Sequence, residues 1–357
     1  MTSIPKFSII ILISLTLLTF ETGCGKTDLS EMGRDITCYA ATYSKGVYRS
    51  DNGGTSWYLL DPDHEDLNLY FKKLFLSPDK GALYVTTTGA GLFIVDTETG
   101  SVDSTTQFRD DNVRAVAFRN SSPIQTGNVE ILAGMDSRGI FITRNGTGNW
   151  EDFNKGLTYR DVNALFKGGD NLYAGTIKGL FKLDGTSGMW TDISGDIKNR
   201  NIIAIDADPK GETIYAGSGA FQDEKGRFED IPCLYKSTDK GKTWKASDRG
   251  LPDNTLVYAI AVNERKPERI YLGTSEGIFR STNSGKGWSK LRDGLPKEFK
   301  VFDIKIVHTP DDKDLVYAAG SSGIFMTMDD KKALWIGRSY GLEKTNITSI
   351  VLGSSPN

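Results

Sequence analysis

The sequence predicts an all-β fold, a seven-bladed β-propeller whose blades each contain four short strands. Three observations lead there: a short apolar phrase that recurs seven times, tryptophan segments that follow its copies, and 39 glycines beside a hydrophobic share of only 38%. Many glycines with modest apolar content suit short strands and turns better than helices. The chain also lacks the apolar stripes of period 3.6 that a helical repeat would require.

The recurring phrase predicts the second strand of each blade. Its copies lie 41 to 56 residues apart and read CYAAT (38–42), LYVTT (83–87), ILAGM (131–135), LYAGT (172–176), IYAGS (214–218), IYLGT (270–274) and VYAAG (316–320). A further short run follows each copy and predicts the third strand: GVYRS (46–50), GLFIV (91–95), GIFIT (139–143), GLFKL (179–183), CLYKS (233–237), GIFRS (277–281) and GIFMT (323–327). Both sets are rich in β-branched and aromatic residues and are bounded by turn formers.

A tryptophan segment follows in most units, and a last apolar run completes each unit. A Gly-Leu pair, which we interpret as a turn marker, often stands between them. The apolar runs predict the innermost strands: YFKKLFL (70–76), NVRAVAF (112–118), DVNALFK (161–167), NIIAIDA (201–207), LVYAIAV (256–262), VFDIKIV (301–307) and NITSIVL (346–352). Four strands in about 45 residues is the period of a propeller blade.

The two ends of the repeat region predict how the ring closes. The first copy begins with a second-strand phrase, and the last run is of the innermost type. The C-terminal strand should therefore complete the first blade, which protects the sheet edges by closing the ring.

Composition excludes several classes of site. The 43 basic and 46 acidic residues nearly balance, so charge indicates no nucleic-acid partner. Cys38 and Cys233 lie in strand-like runs of distant repeats, which predicts two buried free thiols; the alternative disulfide would need their α carbons within about 7 Å. His64 and His308 are far apart and have no cysteine neighbours, so we expect neither a metal site nor a cofactor.

Residues 1–24 have the features of an export signal. Lys6 precedes the apolar run FSIIILISLTLLTF (7–20), which is short for a membrane span but suits a signal-peptide core. Gly23-Cys24 follows, and the arrangement resembles a bacterial lipoprotein signal, in which Cys24 becomes the lipid-modified first residue. Glu21 stands where such signals prefer Leu, so ordinary secretion is the alternative.

These features predict the domain boundaries and the cellular location of the protein. We expect a signal peptide over 1–24, a short linker over 25–34 and the propeller over 35–357. The mature protein should be held at the bacterial cell envelope by a lipid anchor, facing the periplasm or the exterior.

The stretch KSTDKGKTWK (236–245) contains Gly-Lys-Thr but does not predict a phosphate-binding loop. Such a loop needs a glycine five residues before its Gly-Lys pair, where Lys236 stands. The motif instead recurs as Ser50-x-Asn52-x-Gly54-x-Ser56-Trp57, Ser237-x-Asp239-x-Gly241-x-Thr243-Trp244 and Ser281-x-Asn283-x-Gly285-x-Gly287-Trp288. Weaker versions end at Trp150 and Trp190, with a trace near Asp329.

The motif resembles the Asp-box of BNR-repeat, sialidase-like propellers, and the shorter phrases are similar to WD40 and YVTN repeats. Local chemistry explains each position: Asp or Asn accepts hydrogen bonds from its own turn, Gly permits a positive φ, and Trp packs between blades. We therefore predict a structural role for the motif. The resemblance implies that it joins the third and fourth strands, on the face opposite the usual ligand site.

The resemblance leaves the activity open. Propellers of this kind include sialidases, glucan-cleaving hydrolases, sortilin-type receptors and photosystem assembly factors, and periplasmic ligand-sensing propellers are similar. The Arg-Ile-Pro signature of sialidases is absent, because PERIYLG (267–273) continues with Tyr271. We expect a non-enzymatic scaffold that binds a protein or glycan partner and no nucleic acid. A glycan hydrolase with paired carboxylates is the alternative.

The expected binding surface is the face that carries the loops into the innermost strands and the loops between second and third strands. The largest insertion, 219–232, should lie on this face. Any single residue there has the alternative of being a solvated turn residue, and the prediction rests on their convergence at one channel mouth. The predicted binding residues are Tyr70, Arg109, Asp111, Tyr159, Arg160, Asp161, Arg200, Phe221, Arg227, Phe299 and Lys344.

Overall fold

The computed structural model describes residues 29–60, 69–119, 130–144, 148–219, 232–309, 312–329, 333–342 and 345–353. Over these residues, 28 strands form seven antiparallel four-stranded sheets, and two short 3-10 helices span Thr106–Phe108 and Gly195–Ile197. The predicted all-β, seven-bladed propeller is confirmed.

The strands are short and follow the predicted runs closely. In chain order they are β1 Cys38–Thr42, β2 Val47–Ser50, β3 Tyr58–Leu59, β4 Tyr70–Leu76, β5 Ala82–Thr88, β6 Leu92–Asp96, β7 Val102–Ser104, β8 Val113–Arg119, β9 Glu130–Met135, β10 Gly139–Thr143, β11 Glu151–Asp152, β12 Val162–Gly168, β13 Asn171–Thr176, β14 Gly179–Asp184, β15 Met189–Asp192, β16 Ile202–Ala207, β17 Ile214–Ser218, β18 Leu234–Ser237, β19 Lys245–Ala246, β20 Val257–Val262, β21 Ile270–Thr274, β22 Gly277–Ser281, β23 Ser289–Leu291, β24 Val301–His308, β25 Asp314–Gly320, β26 Gly323–Met328, β27 Ile336–Gly337 and β28 Ile347–Leu352.

Each blade runs from an innermost to an outermost strand. Blade 1 has the order β28-β1-β2-β3, and blades 2 to 7 begin with β4, β8, β12, β16, β20 and β24. In blade 1, Cys38 pairs with Leu352 on one side and with Ser50 on the other. The predicted closure by the C-terminal strand is therefore correct.

Three turns between third and fourth strands share one hydrogen-bond pattern, and we call Ser50–Trp57, Ser237–Trp244 and Ser281–Trp288 the box turns. In the second of them the Ser237 hydroxyl donates to Asp239 Oδ1 over 2.7 Å and accepts from the Gly241 N–H over 2.8 Å. Asp239 also accepts from the backbone and hydroxyl of Thr243. Gly241 has φ +87°, as such a turn requires. Every position therefore has a local structural role.

Tryptophans bind blades 1, 4, 5 and 6 to the blade that precedes each of them. Burying an indole removes about 150–250 Å² from water, which contributes roughly 4–6 kcal/mol before the cost of ordering. Backbone carbonyls just after the outermost strand of the preceding blade accept the indole N–H. The pairs are Trp57 with Arg338 at 2.8 Å, Trp190 with Phe153 at 2.9 Å, Trp244 with Ile193 at 2.8 Å and Trp288 with Ser247 at 2.6 Å.

The Gly-Leu pairs are part of the same inter-blade contact, which goes beyond the turn role that we predicted. The residue before the glycine accepts a hydrogen bond from the tryptophan backbone of the next blade, as Arg249 does from Trp288 over 3.0 Å. A side chain at Gly250 would overlap the carbonyl of Trp288. Its φ of +98° also disfavours other residues, so both the lack of space and the backbone conformation require glycine.

Tyrosines of the second strands form another inter-blade contact. The buried Tyr317 hydroxyl donates to Gly53 O over 3.2 Å, in the box turn of the next blade. Tyr215 donates to the equivalent carbonyl of Ser284 over 3.1 Å, which Lys236 Nζ also reaches over 2.8 Å.

Two further tyrosines depart from this pattern in opposite directions. Tyr271 donates to the carboxylate of Asp329 over 2.7 Å, and Arg269 pairs with the same oxygen over 3.1 Å. The buried hydroxyl of Tyr173 has no hydrogen-bond partner among the described residues. The hydroxyls of these equivalent tyrosines therefore donate to a carboxylate in Tyr271, to a backbone carbonyl in Tyr215 and Tyr317, and to no described acceptor in Tyr173.

The segment that precedes β1 is packed against the propeller. Arg338, which is 3% exposed, donates to Leu29 O over 2.7 Å and to Met32 O over 3.0 Å. The N–H of Gly53 in the first box turn donates to Ile36 O over 2.9 Å. Residues 29–36 therefore lie beside the first box turn.

Cys38 and Cys233 are free and buried, as predicted from their positions in distant repeats. Burial raises the pKa of both thiols, and that of Cys233 rises to about 12. Neither is therefore a ready nucleophile, because the thiolate is the reactive form.

Candidate functional site: the top face and channel mouth

The two faces of the ring carry different loops. We call top face the one with the loops into the innermost strands and the loops between second and third strands, and bottom face the opposite one with the box turns. Most of the predicted binding residues lie on the top face. Phe221, Arg227 and Lys344 lie outside the described residues, as does the insertion apart from Gly219 and Pro232.

Every innermost strand has a bulge near its top end. The pairing register shifts there by one residue, so one residue per blade is left out of the ladder. We call these residues the bulge ring; in blade order 1 to 7 they are Thr348, Lys72, Arg114, Asn163, Ile203, Tyr258 and Phe302. The ring surrounds the top mouth of the channel.

Blades 3 to 5 contribute a polar arc to this ring. The Arg114 guanidinium donates to Asn163 Oδ1 over 2.5 Å and pairs with Asp136 over 2.7 Å. Asn163 in turn donates to Asn201 Oδ1 over 2.8 Å. Burial raises the pKa of Asp136, but hydrogen bonding to Asp161 and the charge of Arg114 outweigh it, so the pKa is lowered.

Blades 5 to 7 contribute an apolar arc. The rings of Tyr258 and Phe302, from adjacent blades, meet edge to face with centroids 5.5 Å apart. Ile203 and Tyr258 line the channel directly. The mouth is therefore amphipathic, with hydrogen-bonding groups on one side and an aromatic wall on the other.

An exposed aromatic pair lies beside the mouth. Tyr43 and Tyr70 have ring centroids 4.9 Å apart and remain 42% and 41% exposed. Tyr70 was predicted from the sequence, whereas Tyr43 was missed because its loop is short. Exposed tyrosines combine an apolar ring with a polar tip and are enriched at interfaces.

Several predicted residues are engaged with neighbours on the top face. Asp111 pairs with Arg138, and Asp161 accepts a hydrogen bond from the Ser137 N–H over 3.2 Å. Arg160 is exposed and lies 3.4 Å from Asp152. Arg109 is also exposed.

Tyr159 and Arg200 are half-buried instead. Tyr159 packs edge to face on Phe181 at 6.3 Å, with Lys178 Nζ 5.4 Å from its ring centroid. Arg200 hydrogen-bonds to Tyr235; burial raises the pKa of that phenol and outweighs the lowering effect of Arg200. Both residues therefore support their loops as well as bordering the surface.

The prediction for Phe299 is wrong. Its side chain is only 5% exposed and packs against Phe325 at 5.0 Å, within the apolar core shared with Trp335. An aromatic residue next to an innermost strand buries its ring when an apolar pocket is within reach, and the sequence alone does not show that pocket.

A cavity of about 870 Å³ follows the channel axis below the mouth. All seven innermost strands line it, and it continues to bottom-face residues such as Pro209 and Glu264. Asp206 lies in its wall and accepts hydrogen bonds from the N–H groups of Val262 and Ala207 over 2.8 and 2.7 Å. Burial nevertheless raises the pKa of Asp206 to about 7.

Within the described ranges, no group of three or more His, Cys, Asp or Glu side chains could hold a metal ion. The same part of the chain contains no helix long and apolar enough to cross a membrane.

The fold and its mouth define a closed seven-bladed β-propeller with an amphipathic channel. No family model matches the sequence, and no curated protein matches it either. Solved structures do match in fold. The chain is similar to the extracellular domain of a one-component system from B. thetaiotaomicron, with a TM-score of 0.56 and 13% identity, covering 88% of this chain and 48% of that one.

Two other propellers are similar at the same level. One is a chain of the mitotic checkpoint complex, with a TM-score of 0.59, 14% identity and coverage of 82% of this chain and 86% of that one. The other is the WD40 repeat domain of RRP9, with a TM-score of 0.54, 14% identity and coverage of 80% and 88%. The chain spans about half the length of the first relative, and at these identities the likeness shows the fold alone.

Proposed function

We propose that this protein is an exported, lipid-anchored and non-enzymatic propeller that binds a protein or glycan partner through its top face. The amphipathic bulge ring beside the exposed Tyr43–Tyr70 pair is the observation that supports this proposal most strongly. A fixed scaffold that presents aromatic and hydrogen-bonding groups around one mouth matches the anatomy of a binding interface. The fold relatives include an extracellular domain and WD40 repeats, which is compatible with this role.

The packed segment before β1 indicates how the propeller would be oriented relative to the membrane. Leu29 follows Cys24 by five residues, which span at most about 17 Å. Because residues 29–36 lie beside the first box turn, a lipid on Cys24 would hold the bottom face towards the membrane. The top face would then point away from the membrane, where a partner can reach it.

The carboxylates of the top face support binding more than hydrolysis. A glycosidase needs one carboxyl with a raised pKa to act as general acid. Asp111 is paired with Arg138, and Asp136 is paired with Arg114 and has a lowered pKa. Asp206 has a raised pKa, but both its oxygens accept backbone N–H groups inside the channel. These contacts favour binding over the alternative of glycan hydrolysis.

Capture from native membranes tests the surface assignment. The variant Tyr70→Ala with Arg109→Ala and Arg160→Ala removes exposed or half-exposed top-face groups. Each change should alter the free energy of unfolding by no more than about 0.5 kcal/mol. We expect the wild-type protein to enrich a reproducible partner and this variant to lose it.

The matched control changes the bottom face. Lys240→Glu with Lys286→Glu reverses charge in two box turns and should leave capture unchanged. Loss of capture by the bottom-face variant alone would contradict the proposal, and so would release of sugars from envelope glycans by the wild-type protein.

The anchor is tested separately. Cys24→Ala should move the protein from the membrane fraction to the soluble fraction, because one acyl-modified cysteine is the proposed attachment. Cys38→Ala is the control, since it removes a buried thiol without touching the signal. Membrane retention of Cys24→Ala would show that the attachment lies elsewhere.

A further inference from the structure

The channel contains a cluster of polar groups that joins blade 7 to blade 1. Asp303 in blade 7 pairs with Lys305 Nζ over 2.8 Å through one oxygen. Its other oxygen accepts from the Ser349 hydroxyl over 2.7 Å and from the Ile350 N–H over 3.1 Å, both in blade 1. The Asp303 carboxylate is thus fully satisfied and its charge is balanced by Lys305.

Lys73 is the next charged residue along the channel wall, and unlike Asp303 it has no direct partner. It comes from blade 2, lines the cavity, and is enclosed by protein while water reaches it through the channel. Within the part of the chain that the structure describes, its ammonium makes neither an ion pair nor a hydrogen bond. Desolvation lowers its pKa, and the charges that also act on it are Asp303, which raises the pKa, and Lys305, which lowers it. Lys73 is therefore an amine without a direct counter-charge, and its burial disfavours the charged form.

The same cavity has an aromatic wall. Phe75, Phe118 and Phe166 come from the consecutive blades 2, 3 and 4 and line the cavity while remaining only partly buried. Phe75 lies two residues beyond Lys73 on β4, so both side chains are on the same face of that strand. An unpaired amine, whose charged form an anion would stabilise, and an apolar surface thus occur together in a cavity of about 870 Å³, within the usual range for small-molecule sites.

We propose that the channel binds a small organic anion with an apolar body. The anionic group would pair with the Lys73 ammonium, and the apolar body would pack against Phe75, Phe118 and Phe166. Such a ligand supplies the counter-charge that Lys73 lacks and covers aromatic surface that is otherwise exposed to channel water. The proposal goes beyond partner binding at the top face and does not depend on it.

Isothermal titration of the purified mature protein tests this site with defined probes. We expect 3-phenylpropionate or phenyl phosphate to bind with one-to-one stoichiometry, and the tighter of the two assigns the anionic group. The neutral 3-phenylpropionamide and inorganic phosphate should each bind at least tenfold more weakly, because each lacks one half of the recognition, at about 1.4 kcal/mol per tenfold.

Two lysine variants decide whether Lys73 is responsible. Lys73→Met keeps the length of the side chain and removes its charge, and should weaken binding about 10- to 100-fold, the usual loss for one hydrogen bond to a charged group. Lys245→Met, on the exposed outermost strand β19 and away from the channel, should leave the affinity unchanged. Lys73→Arg retains the cation and should retain binding, which excludes a folding defect as the cause.

Three results would overturn the proposal. These are equal affinities of wild-type protein and Lys73→Met, equal affinities for the anion and its neutral amide, and no heat of binding for either organic anion. A partner captured at the top face would survive any of these results, so the two proposals fail separately.

Discussion

The second-strand tyrosines allow the inter-blade contact to be measured as a graded series of Tyr→Phe changes. Tyr317→Phe removes the donor to Gly53 O, and the buried carbonyl is left without that partner, which should destabilise folding by about 1–3 kcal/mol. Tyr215→Phe should cost less, about 0.5–1 kcal/mol, because Lys236 still donates to Ser284 O. Tyr173→Phe should be neutral or stabilising, because its buried hydroxyl has no partner among the described residues.

The series is measured by urea unfolding of the mature protein. The three variants lose the same atom from closely equivalent buried positions, so their differences report the acceptor and not the lost volume. We expect the urea midpoint to fall most for Tyr317→Phe, less for Tyr215→Phe and not at all for Tyr173→Phe. The slope m, the dependence of the unfolding free energy on urea, should stay constant, which shows that stability alone has changed. Equal destabilisation by all three changes would refute the idea that tyrosine hydroxyls join one blade to the next.

Three further outcomes follow from the same contacts. Trp288→Phe should cost about 1 kcal/mol more than Trp335→Phe in urea unfolding, because only the first loses an indole hydrogen bond, and equal costs would contradict this. Deletion of β28 should give an aggregating protein by light scattering, because blade 1 loses its innermost strand and an edge is exposed; a monomeric deletion variant would argue against the closure. Burial raises the pKa of Asp206 to about 7 from an ordinary value of 3.8. The folded state holds this proton more tightly, so wild-type stability should fall by up to about 4 kcal/mol as pH rises from about 4 to 7, with the full contribution present below pH 4. Asp206→Asn should lack this slope, and parallel pH profiles would refute the assignment.

The fold could be predicted because short sequence motifs mark each repeat. Most blades combine a strand phrase, a glycine and a tryptophan, and the order of these features predicts both the strand count and the closing strand. The positions of the box turns followed for the same reason, since turn chemistry is decided within a few residues. The role of Gly250 was only partly foreseen, because its second constraint is the backbone of Trp288 in the next blade.

The candidate site was harder to predict because it depends on pairing register. The bulge ring exists because each innermost strand leaves one residue out of its ladder, and nothing within a single strand marks that residue. Aligned copies do offer a signal: Arg114, Asn163, Ile203 and Tyr258 each directly precede an alanine at the start of the strand. The burial of Phe299 depends on the position of Phe325. Phe299 lies in the loop before β24 and Phe325 lies in β26, and residue spacing does not reveal that the two rings meet.

The segment before β1 also determines how the protein would carry mechanical load. If Cys24 holds a lipid, a pull from a partner on the top face is transmitted through residues 29–37 into β1. This strand lies between β28 and β2 and is hydrogen-bonded to both. A force along its length shears both ladders at once, so their hydrogen bonds resist together and do not open one after another. Arg338 adds its contacts with Leu29 and Met32 ahead of the sheet. The tether would therefore enter the ring at a strand suited to resist tension.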